Sequence, residues 1–158
     1  MSNILFDIEA NGLLRKSKDR TWNEELKKFE KGVIPKATTL WCIVAKDLET
    51  RKIYKFTPDE LEEGIKFLQN AETLVGHNII GYDIPLIEEL YNIKLTNKVI
   101  DTLVLSRLFN PQREGGHSLE AWGHRLEFKK ADQPDFDEYS EEMLEYCVVD
   151  VNVNEKVY

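Results

Sequence analysis

The sequence predicts an α/β protein in which helices flank a central mixed β-sheet. Two observations indicate this fold class: three strand-like segments come first, and short strand patterns then alternate with helical patterns along the rest of the chain. The 158 residues fit one domain spanning positions 1–158, and a chain of this length can bury a substantial core.

The first three strands are predicted from short apolar runs. Residues 3–8 form a buried strand that ends at the Asn11-Gly12 turn. Residues 40–45 and 53–56 form the two strands of a hairpin. The polar segment 15–37 lies between the first strand and this hairpin, and we expect it to be helical in part.

The hairpin is followed by a helix start signal. Thr57 is expected to be the N-cap, Pro58 the first helical residue and Glu60 the residue that completes a capping box. This signal predicts a helix whose apolar face carries Leu61, Ile65 and Leu68.

The second half of the chain alternates strands with helices. The predicted elements are a strand over 73–76, a helix over 82–91, a strand continuing as a helix over 99–108, a helix capped by Ser118 and ending near Arg125, and a last helix capped by Ser140. The polar segment 128–139 is expected to be irregular.

Charge and composition exclude several classes of protein. A net charge of −8 argues against a broad surface for duplex DNA, although residues 13–36 carry eight basic against four acidic side chains. No apolar run is long enough to span a membrane, and no signal peptide is recognised. We interpret Cys42 and Cys147 as buried, reduced thiols of a cytoplasmic protein without a zinc site.

An acidic pair lies at the end of the first strand. Because residues two apart on a strand share a face, Asp7 and Glu9 would stand side by side. Carboxylates that close raise each other's pKa, and a divalent cation removes that penalty. The alternative is that Glu9 lies beyond the strand and faces water.

Two further acids follow apolar segments. Asp83 opens the predicted helix after the 73–76 strand, where simple N-terminal helix charge is the alternative. Tyr146 and Asp150 are four apart on the last helix and share a face, and a plain Tyr–Asp hydrogen bond is the alternative there. Taken together, four carboxylates and a phenol from three elements are a ligand set for two hard cations, Mg²⁺ or Mn²⁺.

These motifs resemble the 3′–5′ exonuclease domain of family A DNA polymerases, including phage enzymes and bacterial DNA polymerase I. Asp7-Ile8-Glu9, Asn78 with Tyr82-Asp83, and Tyr146 with Asp150 match the three motifs of the DEDD superfamily, in its DEDDy subclass. The segments 101–108 and 116–123 also resemble phage polymerases, so the resemblance covers nearly the whole chain. It implies a ribonuclease-H-like, DnaQ-like fold.

The resemblance also implies a mechanism and partners. Asp7 would bridge two metal ions, Glu9 and Asp150 would complete the first site, and Asp83 would hold the second. Tyr146 would orient the attacking water. The expected partners are the 3′ end of single-stranded DNA and a polymerase domain, in cis or in trans, and the expected state is a monomer.

Candidate contacts to the DNA strand are Leu13, Leu14, Asn78, Tyr82 and His117. Each has a plain structural alternative: the leucines cover a core, Asn78 caps a turn and His117 bonds within its loop. The basic stretch 15–36 either guides the DNA backbone or is a solvated surface helix. Trp22, Trp41 and Trp122 could stack on bases, with core packing as the alternative for the last two.

Two other functions remain open at this stage. An RNA-trimming exonuclease of the DEDDy group would use the same metals. An inactive module that only binds DNA or a polymerase would not need all four acids and the tyrosine, and their presence argues against it.

Overall fold

The computed structural model describes residues 2–14, 17–23, 28–34, 36–128 and 133–158, with only the backbone described at 17–23 and 28–34. The strands are β1 Asn3–Ala10, β2 Ser17–Asn23, β3 Lys28–Ile34, β4 Leu40–Asp47, β5 Ile53–Phe56, β6 Thr73–Gly76 and β7 Lys98–Asp101. The helices are α1 Leu61–Gln69, α2 Ile84–Tyr91, α3 Thr102–Phe109, α4 Leu119–Arg125 and α5 Glu141–Val157.

Five strands form one mixed sheet in the order β5-β4-β1-β6-β7. The strand β1 lies at its centre, antiparallel to β4 and parallel to β6. The hairpin of β4 and β5 is antiparallel, and β6 and β7 are parallel. The prediction of a mixed sheet flanked by helices is therefore confirmed.

Alternate residues of β1 face different cores. Ile4, Phe6 and Ile8 belong to a cluster that includes residues of α1 and α2. Leu5 belongs to a second cluster on the opposite face, together with Cys147 and other residues of α5. Because side chains alternate along a strand, the odd-numbered residues that follow Leu5 also face α5.

The expectation of partial helix within residues 15–37 is wrong. Residues 17–23 and 28–34 pair as an antiparallel two-stranded sheet with Trp22 opposite Phe29 in the register. These segments contain Thr21, Trp22, Phe29, Val33 and Ile34, which favour extended backbone, but the high charge density obscured this signal. The side chains of β2 and β3, including Trp22, lie outside the part of the chain that the structure describes, and so does their expected role in guiding DNA.

The helix caps are confirmed in two cases and wrong in one. The hydroxyls of Ser118 and Ser140 accept hydrogen bonds from the backbone N–H groups three residues later, as predicted. Thr57 has no side-chain capping bond, because Pro58–Glu60 form a 3₁₀ turn in which the Thr57 carbonyl accepts from the Glu60 N–H. The capping box at Glu60 is therefore absent.

Within the described residues, none of the helices combines the length and apolar character needed to cross a membrane.

Candidate active site

Asp7 and Glu9 lie side by side at the end of β1. A carboxylate oxygen of Asp7, a carboxylate oxygen of Glu9 and the Cys147 sulfur form a group of possible ligand atoms. These three atoms all lie within 4.8 Å of one another. Glu9 is buried and Asp7 is half-buried. The register to β4 shifts between Glu9 and Ala10, and such bulges redirect side chains at the end of a strand.

Asp83 comes from the segment between β6 and α2. It ends the π-helical turn Ile79–Asp83 and is the N-cap of α2, where Pro85 stands in the first turn. The side chain is 3% exposed, and its Oδ2 atom is buried without a hydrogen-bond partner among the residues that the structure describes. The Asp83 carboxylate interacts electrostatically with the carboxylates of Asp7 and Glu9.

Tyr146 and Asp150 lie one turn apart on α5. Asp150 is buried, and its negative charge raises the pKa of both Asp7 and Glu9. The Tyr146 ring is half-buried and packs edge-on against Phe136, with ring centroids 6.2 Å apart and planes at 76°. The four carboxylates therefore act electrostatically on one another, and the tyrosine adjoins Asp150 on the same helix.

Burial and mutual repulsion keep this group of acids partly protonated without a cation. Burial first, then the charge of Asp150, raises the pKa of Asp7 to about 8. Burial and the charges of Asp7 and Asp150 raise that of Glu9 to about 10. Burial and the Asp7 charge also raise the Asp83 pKa. Hard oxygen donors with this penalty fit divalent cations.

A groove runs past Glu9. One section, about 590 Å³ in volume, is lined by Glu9, Leu13, Tyr82, Phe136 and neighbouring residues. An adjoining section of about 570 Å³ is lined by Leu13, Leu14, Asn78, Gly81 and Tyr82. The shared lining makes the two sections continuous, and each has the size of a small-molecule site.

Four of the five candidate strand contacts line this groove, and His117 lines neither section. Leu13 is exposed, whereas Leu14 is partly packed against the core cluster of α1 and α2. The Tyr82 hydroxyl donates to the Gly12 carbonyl at 2.6 Å and so ties the groove walls together. His117 Nδ1 lies 2.7 Å from Ser106 Oγ, which fits the alternative of a local hydrogen bond.

The described tryptophans have structural contacts. Trp41 donates from Nε1 to the Phe136 carbonyl at 2.8 Å. Trp122 donates to Ser106 Oγ at 3.0 Å and is flanked by the guanidinium groups of Arg113 and Arg125. These contacts fit the packing alternative rather than base stacking.

Sequence reasoning missed the structural role of Asp101. This carboxylate ends β7, is 4% exposed and caps α3 through the Leu103 N–H. It also accepts from the N–H groups of Asn78 at 2.8 Å and Ile80 at 3.0 Å. Asn78 adopts a left-handed conformation with φ of 59°. Asp101 therefore fixes the turn that leads to Asp83, and an acid between a strand and a helix was the available signal.

Sequence reasoning also missed two neighbours of the acids. Phe136 lies in a segment predicted only as irregular, so no local pattern placed it beside Tyr146. Cys147 is three residues before Asp150, a spacing that puts two side chains on one face of a helix. The interpretation of both cysteines as free, buried thiols is confirmed.

Comparisons with known proteins agree with this architecture. No protein-family model matches the chain. The DNA-directed DNA polymerase of Escherichia phage T7 is 29% identical over 95% of this chain and 25% of the polymerase. The PolC-type DNA polymerase III of Mycoplasma genitalium is 34% identical over 68% of this chain and 8% of that protein. The solved structure of Brucella melitensis NrnC matches with a TM-score of 0.60 and 14% identity, covering 98% of this chain and 69% of that one.

The fold is ribonuclease-H-like, of the DnaQ type. The resemblance to DNA polymerases is confirmed at the level of sequence. The chain spans about a quarter of the length of the phage polymerase that it matches.

Proposed function

We propose that the chain is a metal-dependent 3′–5′ exonuclease domain that removes nucleotides from the 3′ end of single-stranded or frayed DNA. One observation carries this proposal: Asp7, Glu9, Asp83 and Asp150 come from three separate elements and interact electrostatically beside a groove that Glu9 lines. A structural protein has no use for four buried or half-buried acids that repel one another, whereas metal-assisted phosphoryl chemistry needs them.

The four carboxylates would hold two divalent cations, Mg²⁺ or Mn²⁺. By family resemblance, Asp7 would contribute to holding both ions, Glu9 and Asp150 would help to hold one, and Asp83 would help to hold the other. When bound, such cations make water a stronger nucleophile and offset the charge that develops on the phosphate. The protein's part is to hold the carboxylates fixed in place, where bound cations would displace the protons that burial favours.

Tyr146 would orient the attacking water toward the terminal phosphodiester. Its ring is fixed by the edge-on contact with Phe136, and the Phe136 carbonyl is held by Trp41 of β4. A phenol fixed in this way retains its direction as the substrate enters. The product would be a deoxynucleoside 5′-monophosphate.

The groove favours an unpaired strand. Its two sections are lined by Leu13, Tyr82 and Phe136, which offer apolar and aromatic surface to bases. A paired terminus cannot place its last phosphodiester at the base of a groove beside Glu9 without fraying. Mispaired ends fray more readily, and this difference would select them for removal.

A proofreading role for a DNA polymerase is the function that the relatives favour. The curated relatives are DNA polymerases of a phage and of the PolC type. We assign the domain to the family A type because it resembles those domains in its three motifs and in the segments 101–108 and 116–123. The polymerase would act in cis or in trans.

The direct test is digestion of a 5′-labelled single-stranded DNA with Mg²⁺ or Mn²⁺, beside an RNA of the same sequence. We expect a ladder of products that shorten one nucleotide at a time, faster on DNA, and no products with EDTA. Asp7→Ala should be inactive, while the matched surface variant Asp59→Ala should cleave normally because Asp59 is exposed and lines neither section of the groove.

Three results would count against the proposal. Faster digestion of RNA would point to an RNA-trimming enzyme. Binding of DNA without cleavage by the folded protein would point to a non-catalytic module. Undiminished Mg²⁺-dependent cleavage by Asp7→Ala would remove the candidate site itself.

A further inference from the structure

A cysteine lies inside the group of acids. The Cys147 sulfur is within 4.8 Å of ligand oxygens of Asp7 and Glu9. Its distance to Asp7 Oδ2 is 3.6 Å. The side chain is fully buried on the face of α5 that packs against β1. The two-metal site proposed above uses oxygen ligands alone and assigns no role to this thiol.

We propose that Asp7, Glu9 and Cys147 form a binding site for a thiophilic divalent cation such as Zn²⁺ or Cd²⁺. Its consequence for activity rests on the proposed function, because a cation held there would occupy two of the carboxylates that Mg²⁺ needs. The inference therefore concerns inhibition of the same centre by soft metals.

The spacing of the donors fits tetrahedral coordination. With a Zn–S distance of about 2.3 Å and Zn–O distances of about 2.0–2.2 Å, a tetrahedral angle separates sulfur from oxygen by about 3.6 Å. The observed separation between Cys147 Sγ and Asp7 Oδ2 equals this value. The remaining pairs in the group lie within 4.8 Å, so small side-chain shifts would bring all three donors to one ion.

A fourth oxygen donor lies beside this group. Asp83 Oδ2 is buried and has no hydrogen-bond partner among the described residues, and the Asp83 carboxylate interacts with Asp7. A buried carboxylate oxygen without a partner is costly unless a cation or proton reaches it. Asp83 does not belong to the three-donor group, but its buried Oδ2 atom is a second observation that favours positive charge beside Asp7.

Donor chemistry decides which cations prefer this arrangement. A thiolate is a soft ligand that selects Zn²⁺ and Cd²⁺ over Mg²⁺, which prefers oxygen alone. On binding, the Cys147 S–H bond breaks, its proton leaves to water and a sulfur–metal bond forms. No oxidant or reductant takes part in this step.

Cys42 provides the matched control. It is also a fully buried, free thiol, it lies on β4 opposite Glu9 in the register, and it neighbours Cys147. Its sulfur does not belong to the group formed by Asp7, Glu9 and Cys147. A variant at Cys42 therefore removes an equivalent thiol but leaves the proposed donor set intact.

The test is titration of the metal-free chain with Cd²⁺ alone, followed by the ultraviolet thiolate-to-cadmium charge-transfer absorption. We expect the wild type and Cys42→Ser to develop this band at one equivalent. Cys147→Ser and Cys147→Ala should not develop it, and Asp7→Asn should bind Cd²⁺ more than about tenfold more weakly. Circular dichroism establishes that each variant is folded.

The outcomes separate this inference from the proposed function. A wild type without the band, the same band in folded Cys147→Ser, or unchanged Cd²⁺ affinity in Asp7→Asn would each overturn the inference. In a parallel Mg²⁺-dependent digestion of DNA, Cd²⁺ should inhibit the wild type at lower concentration than Cys147→Ser. A chain that shows the band but never cleaves DNA would refute the nuclease and keep the site.

Discussion

The Asp7 carboxyl group illustrates how a single residue makes the protein depend on cations. Burial and the charge of Asp150 both favour its neutral form and raise its pKa from 3.8 to about 8. Glu9 is affected in the same way and reaches about 10. At neutral pH without metal, both groups therefore hold protons that a cation must displace.

These pKa values predict that the metal-free protein loses stability as pH rises. A raised carboxyl pKa means that the native state binds more protons than the unfolded state, so the stabilisation is complete below about pH 4. It is lost as pH rises through about 8 for Asp7 and about 10 for Glu9. Denaturation in EDTA across this range measures the slope.

Asp7→Asn is the control for that prediction. The amide does not titrate, so the slope should become shallower, and the remaining decline would report Glu9 and Asp83. An equal slope in both proteins would mean that Asp7 is not the titrating group.

Tyr146→Phe should slow cleavage by less than the loss of an acid. A group that only orients water contributes less than the roughly 10²–10⁴-fold typical of a group that transfers the proton itself. Single-turnover rates with Mg²⁺ would be compared with those of Asp7→Ala and of Tyr158→Phe, a half-exposed control. A loss in Tyr146→Phe as large as that in Asp7→Ala would mean that its role is misassigned.

At the scale of elements, the turn before α2 depends on β7. The Asp101 carboxylate accepts three backbone N–H groups, from Asn78, Ile80 and Leu103. Asp101→Ala should cost more than about 2 kcal/mol of unfolding free energy, since those donors are left unpaired or poorly capped. Because the turn carries Asn78 and Asp83, kcat should fall as well as stability.

Asp47→Asn is the matched control for Asp101. Asp47 accepts from Glu49 and Thr50 in the turn between β4 and β5, far along the strand from the acids. It should lower stability modestly and leave kcat of the folded fraction unchanged. Full kcat in folded Asp101→Ala would show that this carboxylate only stabilises the fold.

Sequence reasoning succeeded where a local pattern determines the structure. Short apolar runs located β1 and β4, and Ser118 and Ser140 marked the starts of α4 and α5. Sequence reasoning failed for residues 17–23 and 28–34, where high charge density concealed the residues that favour strands. The candidate acids were recognisable from their short motifs, whereas the contacts of Asp101 and Cys147 join elements distant in sequence and depend on strand order.

At the scale of the whole molecule, divalent cations should stabilise the fold. A ligand at one hundred times its dissociation constant adds about 2.7 kcal/mol. For a domain of this length, that amounts to a rise in Tm of about 5–10 °C. Thermal denaturation with and without Mg²⁺ or Mn²⁺ measures the rise, and Asp7→Ala should abolish it. An unchanged Tm in the wild type would argue against a site of useful affinity.

The position of β1 between β4 and β6 has a consequence for dynamics. The strand cannot leave the sheet without breaking both ladders, so its residues should belong to the last cooperative unit to open. In native-state hydrogen exchange, the opening free energy measured at the Leu5 amide should then equal the free energy of global unfolding. On heating, the spacing of Asp7 and Glu9 would survive until the domain itself melts, and inactivation would coincide with that transition.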